Sequence, residues 1–147
     1  MSEMLGNQYF MARNYSAAQK EFEEVLLKYP DNRPAKKKLV VCYTQTRRLK
    51  ESFAYFLDII KTDIEFIVKT DTIRDDCPCA ELIEKLEPRS TNYLDTFDYN
   101  LTLGIIWLYC DILQSKHYFT KLKKMEPSNL DIEAVCVEID NYLLKVV

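Results

Sequence analysis

Two cysteines separated by a single proline, Cys77 and Cys79, are the residues whose type and spacing could most directly do chemistry. Two thiolates can bind a soft metal such as zinc, and Cys42, Cys110 or His117 could then complete a tetrahedral site. Structural zinc sites normally use cysteine pairs separated by two residues, and the chain has no second pair. Two acids precede Cys77 and oppose formation of a thiolate. The pattern favours a turn with a helix start, and leaves a metal site or a redox-responsive pair at Cys77 and Cys79 as alternatives.

The cysteine content also bears on the compartment. The chain has five cysteines, and its first ten residues lack the basic start and continuous apolar run of a signal peptide. These features predict reduced thiols in a cytoplasmic protein, with Cys42, Cys110 and Cys136 as small core residues on helices. No segment approaches the about 18 continuous apolar residues of a membrane span, so no membrane partner is expected.

The sequence contains few residues that could form an acid–base catalytic site or a phosphate-binding site. His117 is the only histidine, and it stands between Lys116 and Tyr118 on a predicted helix. A surface histidine is the expected reading, because catalysis would require a cleft and a polar partner. The two glycines are too few for a phosphate-binding loop. We expect no enzymatic activity and no cofactor.

Charge is distributed unevenly along the chain. Between Arg33 and Lys50 there are seven basic residues and no acid, whereas Glu51 to Asp98 contains 12 acids against 5 bases. The basic segment fits either an acidic partner or a solvated helix face paired with the acidic segment. The net charge of −3 argues against nucleic acid as the partner.

The elements that position these residues are predicted to be helices. Only 2 glycines and 5 prolines interrupt a chain that is 48% hydrophobic, which favours long helices with short connections. A shift of 34 residues superimposes apolar landmarks, which indicates an internal repeat. The coincident pairs are Leu5 with Leu39, Tyr9 with Tyr43, Tyr15 with Leu49, Ala18 with Ser52, Phe22 with Phe56 and Val25 with Ile59.

The repeat resembles the tetratricopeptide repeat (TPR), a helical hairpin that stacks into solenoids. The matching residues are Leu5-Gly6-x-x-Tyr9, Ala18-x-x-x-Phe22 and Pro30 in the first unit, and Leu103-Gly104-x-x-Trp107, Ser115-x-x-x-Phe119 and Pro127 in the third. Gly6 is expected to let the two helices approach closely, and Asn14 to cap the second. The glycine-to-proline distance is 23 in the third unit against 24 in the first, so one residue is missing, by prediction around 111–113.

The predicted architecture is all-α: a short helical-hairpin solenoid of three TPR-like units, with an insertion between the second and third and a C-terminal capping helix. The predicted boundaries are 1–32 for repeat 1, 33–64 for repeat 2, 65–91 for the insertion, 92–127 for repeat 3 and 128–147 for the capping helix. The insertion should contain a short helix over 80–87 capped by Asp76 or Cys77. Ser128 or Asn129 should cap the last helix.

The TPR resemblance implies that the first helix of each unit lines a concave groove that binds another polypeptide. First helices are expected at about 2–12, 34–46 and 92–110. The candidate groove residues are Asn7, Phe10, Met11, Lys37, Lys38, Val41, Thr44 and Gln45. Asparagine can bond an extended backbone, and lysines attract carboxylates, so the expected partner is a protein or peptide of acidic character.

The resulting functional prediction is an adaptor, scaffold or chaperone-like module. In one alternative, the insertion docks the chain in a larger assembly or a homo-oligomer, or fills the groove as an internal ligand. In another, the chain is a metal- or redox-responsive protein that uses Cys77 and Cys79.

Overall fold

The computed structural model of the chain describes residues 2–87 and 95–146, and every regular element in these ranges is a helix. The helices are α1 (Ser2–Met11), α2 (Tyr15–Lys28), α3 (Arg33–Gln45), α4 (Leu49–Asp63), α5 (Glu65–Val68), α6 (Cys79–Leu86), α7 (Phe97–Leu108), α8 (Ile112–Met125) and α9 (Leu130–Val146). They form two compact units, Met1–Ile59 and Ile60–Val147. None of the helices in the described part is long and apolar enough to cross a membrane.

Asparagine caps start the second and third helices. The Asn14 side-chain oxygen accepts a hydrogen bond from the Ala17 backbone N–H at 3.2 Å, which confirms the predicted cap. Asn32 does the same for the Ala35 N–H at 3.0 Å, so α3 begins one residue before the predicted start at position 34. Both caps satisfy backbone donors that the first helical turn leaves without partners.

The 34-residue period is also present in the backbone of the first unit. Arg13 and Arg47, which lie 34 positions apart, have φ values of 62° and 63°. Each lies just beyond the first helix of a hairpin, where a left-handed residue ends the helix and reverses the chain. The α1–α2 and α3–α4 turns therefore reverse the chain with the same left-handed backbone conformation at equivalent residues.

The α7–α8 connection differs from the other two. It places Gly104 eight positions before the first residue of α8, whereas Gly6 stands nine positions before the first residue of α2. No residue from 109 to 111 has a positive φ, and the Asp111 carboxylate caps α8 directly by accepting from the Leu113 N–H at 3.0 Å. The missing residue thus falls before Ile112, in the segment that ends at Asp111, which overlaps the predicted range 111–113.

Close helix approach in both units depends on a glycine opposite a phenylalanine. A Cβ atom on Gly6 would lie 2.8 Å from Phe22 Cε1, and one on Gly104 would lie 2.9 Å from Phe119 Cε2. Both rings are fully buried. This confirms that Gly6 is needed for the close approach, because any side chain there would collide with the ring.

A serine hydroxyl fastens two of the hairpins at an equivalent place. Ser52 Oγ donates to the Val40 carbonyl at 2.8 Å, and Ser115 Oγ donates to the Gly104 carbonyl at 2.7 Å. Both serines are fully buried, so each hydroxyl satisfies itself on the backbone of the preceding helix. A residue larger than serine would push the helices apart.

The insertion begins with the short helix α5 (Glu65–Val68), and an ordered loop follows it. The Asp71 carboxylate accepts from the backbone N–H groups of Ile73 and Arg74, both at 3.1 Å, and Asp76 is left-handed with φ 49°. Pro78 occupies the N-cap position of α6 without a side-chain cap bond. The predicted cap at Asp76 or Cys77 is therefore wrong, because Asp76 serves the turn that precedes the helix.

The last three helices have conventional starts. Thr96 caps α7 by accepting from the Tyr99 N–H at 3.1 Å, so this helix begins at Phe97; the predicted start near position 92 lies outside the described residues. Asn129 accepts from the N–H groups of Asp131 and Ile132, both at 3.1 Å, which confirms the predicted cap of α9.

Candidate functional site

Side-chain hydrogen bonds join α1 to α3. Lys38 Nζ donates to Asn7 Oδ1 at 2.7 Å, and Asn32 Nδ2 donates to Glu3 Oε1 at 3.1 Å. Glu3 and Asn7 lie one turn apart, so the same row of α1 faces α3 at both points. Two of the predicted groove residues, Asn7 and Lys38, are thus brought into direct contact.

We use the name α1/α3 face for the predicted groove residues of these two helices that keep exposed surface in addition to Lys37, namely Asn7, Met11, Lys38, Thr44 and Gln45. Met11 is 62% exposed, and the other four are half-buried. The Gln45 amide donates to the Thr44 hydroxyl at 3.1 Å. Lys37, also predicted for the groove, is half-buried on the same helix.

Two predicted groove residues belong to the core instead. Phe10 is 3% exposed, and its ring packs edge-on against Tyr15 and Phe22 at centroid distances of 6.2 and 6.3 Å. Val41 is 1% exposed. Neither can contact a peptide from this position, so the prediction is wrong for both. The repeat pattern located the helices, but it did not resolve which side of each helix is covered.

The basic segment is divided between different neighbours. Lys36 pairs with Asp58 of α4 at 2.7 Å and lies 5.6 Å above the Tyr55 ring. Arg48 pairs with Glu51, also of α4, at 3.3 Å. Acids of the adjacent helix thus take up part of the positive charge, while Lys38 points to the opposite side, toward α1.

Cys42 lies in the core and Cys136 is half-buried, and the pKa of each thiol is raised. Burial raises the pKa of the Cys42 thiol to about 12, so almost none of it is thiolate at neutral pH. Burial also raises the pKa of Cys136, whose thiol contacts the Phe119 carbonyl at 3.6 Å. The prediction of a small core residue is confirmed for Cys42 and is wrong for Cys136, because one side of Cys136 stays exposed.

Cys79 and Cys110 form a disulfide, which overturns the prediction that all thiols are reduced. Cys79 is the first residue of α6, and Cys110 lies just after α7. Cys79 is 1% exposed, whereas Cys110 is exposed rather than a core residue. The two are 31 positions apart, and the packing of α6 on α7 brings them together.

The disulfide argues against the metal-binding interpretation of the Cys77-Pro78-Cys79 segment. Cys79 offers no thiolate while it is bonded to Cys110, so Cys77 and Cys79 cannot act together as a metal-binding pair in this state. Within residues 2–87 and 95–146, no group of three or more His, Cys, Asp or Glu side chains could hold a metal ion. Cys77 is half-buried and lies outside the disulfide.

The C-terminal end of the insertion helix is held by aromatic side chains of α7 and α8. Trp107 Nε1 donates to Glu87 Oε2 at 2.9 Å, and the Tyr118 hydroxyl donates to the same oxygen at 2.6 Å. The Tyr99 hydroxyl donates to the Leu86 carbonyl at 3.0 Å. We call Tyr99, Trp107 and Tyr118 the aromatic cradle.

The side chains of the aromatic cradle that contact Glu87 remain hydrogen-bond donors at neutral pH. Burial, together with the bond to Glu87, raises the pKa of Tyr118 well above its ordinary value, so the phenol stays protonated. Indole N–H is a donor only. The sequence marked Trp107 only as the aromatic residue of the third repeat unit, and Glu87 was not among the candidate site residues. The available signals were a single tryptophan in the chain and an acid at the end of the predicted short helix.

His117 is exposed beside the cradle. Its ring meets the Tyr118 ring edge-on at a centroid distance of 5.3 Å. The prediction of a surface histidine is confirmed.

No family model, curated protein or solved structure matches the chain. The α1/α3 face and the aromatic cradle are the two candidate sites in the part of the chain that the structure describes.

Proposed function

We propose that this chain is a TPR-like helical-repeat protein whose α1/α3 face binds an extended segment of another polypeptide. The Lys38–Asn7 hydrogen bond carries the proposal, because it fixes a cation and an amide side by side at 2.7 Å on a partly exposed surface. The repeat architecture is supported by the recurring glycine–phenylalanine contacts and by the left-handed residues 34 positions apart.

The chemistry of the face suits a peptide with acidic groups. Asn7 can donate through its amide nitrogen to a peptide carbonyl while its oxygen remains bonded to Lys38. The Lys38 ammonium has three donors, of which Asn7 takes one, so it can also bind a carboxylate. Met11 adds a flexible apolar contact beside them.

The test begins with affinity capture from native extract and identification of the bound segment by mass spectrometry. Calorimetry then compares the wild type with Lys37→Glu/Lys38→Glu. We expect the double charge reversal to weaken binding at least roughly tenfold, because close charge pairs across interfaces have coupling energies of about 1.5 kcal/mol or more.

The matched control is Lys20→Glu, which reverses an exposed charge on α2 away from the face. It should leave the affinity unchanged. Wild-type affinity in the Lys37→Glu/Lys38→Glu protein would rule out this face as the binding surface.

The Cys79–Cys110 disulfide favours a second candidate, a redox-responsive protein. Disulfides persist in oxidising compartments, and cytosolic ones are usually transient. This candidate uses Cys110 in place of the predicted partner Cys77. Acid-quenched cells, alkylated and analysed by peptide mass spectrometry, should contain the Cys79–Cys110 cross-linked peptide. Complete alkylation of both thiols under every growth condition would refute it. Cytoplasmic location and homo-oligomerisation stay predictions.

A further inference from the structure

Helix α6 is fastened to its neighbours at both ends. Its first residue, Cys79, is bonded to Cys110, and Glu87 just beyond its last residue lies in the aromatic cradle. Between these points the apolar side chains of Leu82 and Ile83 are buried. The exposed face of α6 is polar. Helix α6 is therefore amphipathic and packs its apolar face on α7, as a bound peptide helix packs in a groove of its receptor.

The cradle recognises a carboxylate without neutralising it. Both donors to Glu87 Oε2 are neutral side chains, an indole and a phenol. Hydrogen bonds to a charged acceptor are stronger than those between neutral groups, so two donors aimed at one oxygen select an acid over an amide. The third member, Tyr99, bonds the Leu86 carbonyl, which the end of a helix leaves without an intrahelical partner.

We propose that the surface formed by α7 and α8 around the aromatic cradle is a binding site for an acidic amphipathic helix of a partner protein, that α6 occupies it as an internal ligand, and that the Cys79–Cys110 disulfide locks α6 in place. The partner helix would carry apolar residues at the spacing of Leu82, Ile83 and Leu86, followed by an acid. This site lies in the unit Ile60–Val147, so the proposal goes beyond the α1/α3 face and does not depend on it.

The lock opens by thiol–disulfide exchange with a dithiol reductant. A thiolate of the reductant attacks the sulfur of Cys110, which is exposed, and Cys79 leaves as a thiolate that takes up a proton. The second thiol of the reductant then attacks the mixed disulfide and releases Cys110 as a thiol. The protein disulfide is reduced to two thiols, and the dithiol is oxidised to its own disulfide.

The oxidation state of Cys79 and Cys110 determines whether a partner helix can compete with α6 for the surface of α7 and α8. While the disulfide is closed, α6 is bonded to Cys110 and cannot leave the surface, so a partner is excluded. After reduction α6 is tethered only by the backbone, at an effective concentration in the millimolar range, and is held by the contacts of one short helix. Since isolated helices below about 12 residues are marginal, the eight-residue α6 should then exchange with an external helix.

The test uses Trp107, the only tryptophan, as a reporter inside the site. In the wild-type chain, addition of dithiothreitol should shift its emission to the red, because α6 leaves the indole. Hydrogen exchange should show faster exchange in Cys79–Leu86 with unchanged protection of α7 and α8. Cys77→Ser, which retains the disulfide, is the matched control and should respond like the wild type.

Binding is measured with an acetylated peptide of residues 79–87 in which Cys79 is replaced by alanine. The protein is full-length Glu87→Gln, whose internal ligand is weakened while its cysteines are intact. The peptide should bind the reduced protein and not the oxidised one. A peptide with Glu87→Gln should bind roughly tenfold more weakly or worse, because it lacks the charged acceptor.

Four results would overturn the proposal. If reduction changes neither the Trp107 emission nor the hydrogen exchange of α6, the disulfide does not hold α6 in place. If protection from exchange is lost throughout α7 and α8, the disulfide stabilises the whole unit instead of controlling α6. Failure of the peptide to bind the reduced protein, or equal binding to both forms, would remove the site. None of these results affects the Lys37→Glu/Lys38→Glu test of the α1/α3 face.

Discussion

The contact between Gly104 and Phe119 predicts the sign of the change in unfolding free energy that Gly104→Ala would cause. An alanine Cβ at position 104 would lie 2.9 Å from Cε2 and 3.2 Å from both Cδ2 and Cζ of the ring. Carbon atoms prefer separations of about 3.5–4.0 Å, so the ring or the helix must move by roughly 0.7 Å. Phe119 is fully buried, and because protein interiors are close-packed, movement of its ring must displace neighbouring atoms.

Two opposing effects set the magnitude for Gly104→Ala. Overpacking of a filled core costs about 1–3 kcal/mol. Alanine in place of glycine within a helix gains about 1 kcal/mol. We therefore expect Gly104→Ala to lower the free energy of unfolding by about 1 kcal/mol, although it is a favourable change in an ordinary helix.

The assay is a double-mutant cycle measured by urea unfolding. In a Phe119→Leu background the ring no longer collides with the new methyl group, so Gly104→Ala should raise the free energy of unfolding by about 1 kcal/mol. The coupling energy between the two positions should then be about 1–3 kcal/mol. The cycle of Gly6 and Phe22 in the other unit is an internal replicate and should have the same sign.

A stabilising effect of Gly104→Ala in the wild-type background would refute the steric reasoning. So would a coupling energy near zero, because the methyl group and the ring would then not be in contact.

Three further predictions concern single residues. Because burial raises the pKa of Cys42 to about 12, iodoacetamide at pH 8 should label Cys42 far more slowly in the folded chain than in urea, as peptide mass spectrometry would show. Ser115→Ala removes the donor to a buried carbonyl and should cost about 1–3 kcal/mol in urea unfolding, whereas Ser16→Ala on the surface should cost little. The pKa of Asp95 is lowered from 3.8 by hydrogen bonds from Lys121 and Asn100, so its contribution to stability is present above pH 3.8 and is lost as the pH falls through the lower folded-state value. Asp95→Asn should therefore unfold with a smaller difference between pH 6 and pH 3 than the wild type.

Most predictions based on close neighbours in the sequence succeeded, and the cap predicted at Asp76 or Cys77 is the exception. The caps at Asn14 and Asn129 were predictable because a cap bonds backbone groups two or three residues away. The all-helical composition followed from the few glycines and prolines together with the apolar spacing.

Predictions about which side of a helix is covered were less successful. Phe10 was assigned to the groove and lies in the core, because it is the ring that meets Tyr15 and Phe22. A period of 34 places each residue along its helix, but the exposed fraction depends on which neighbouring helices pack against it. The prediction for Asn7 and Lys38 brought together two residues that do touch, yet their role in binding stays a prediction.

The sequence by itself determined the helices, the caps at Asn14 and Asn129, and the small-against-large contacts within each hairpin, because these depend on residues within about 16 positions of each other. Only the tertiary structure decided the partner of Cys79 and the environment of Glu87. Those contacts join residues 20 to 31 positions apart across the insertion, and they form only because α6 packs against α7. No local propensity specifies that packing, since it depends on apolar surface that several helices bury together.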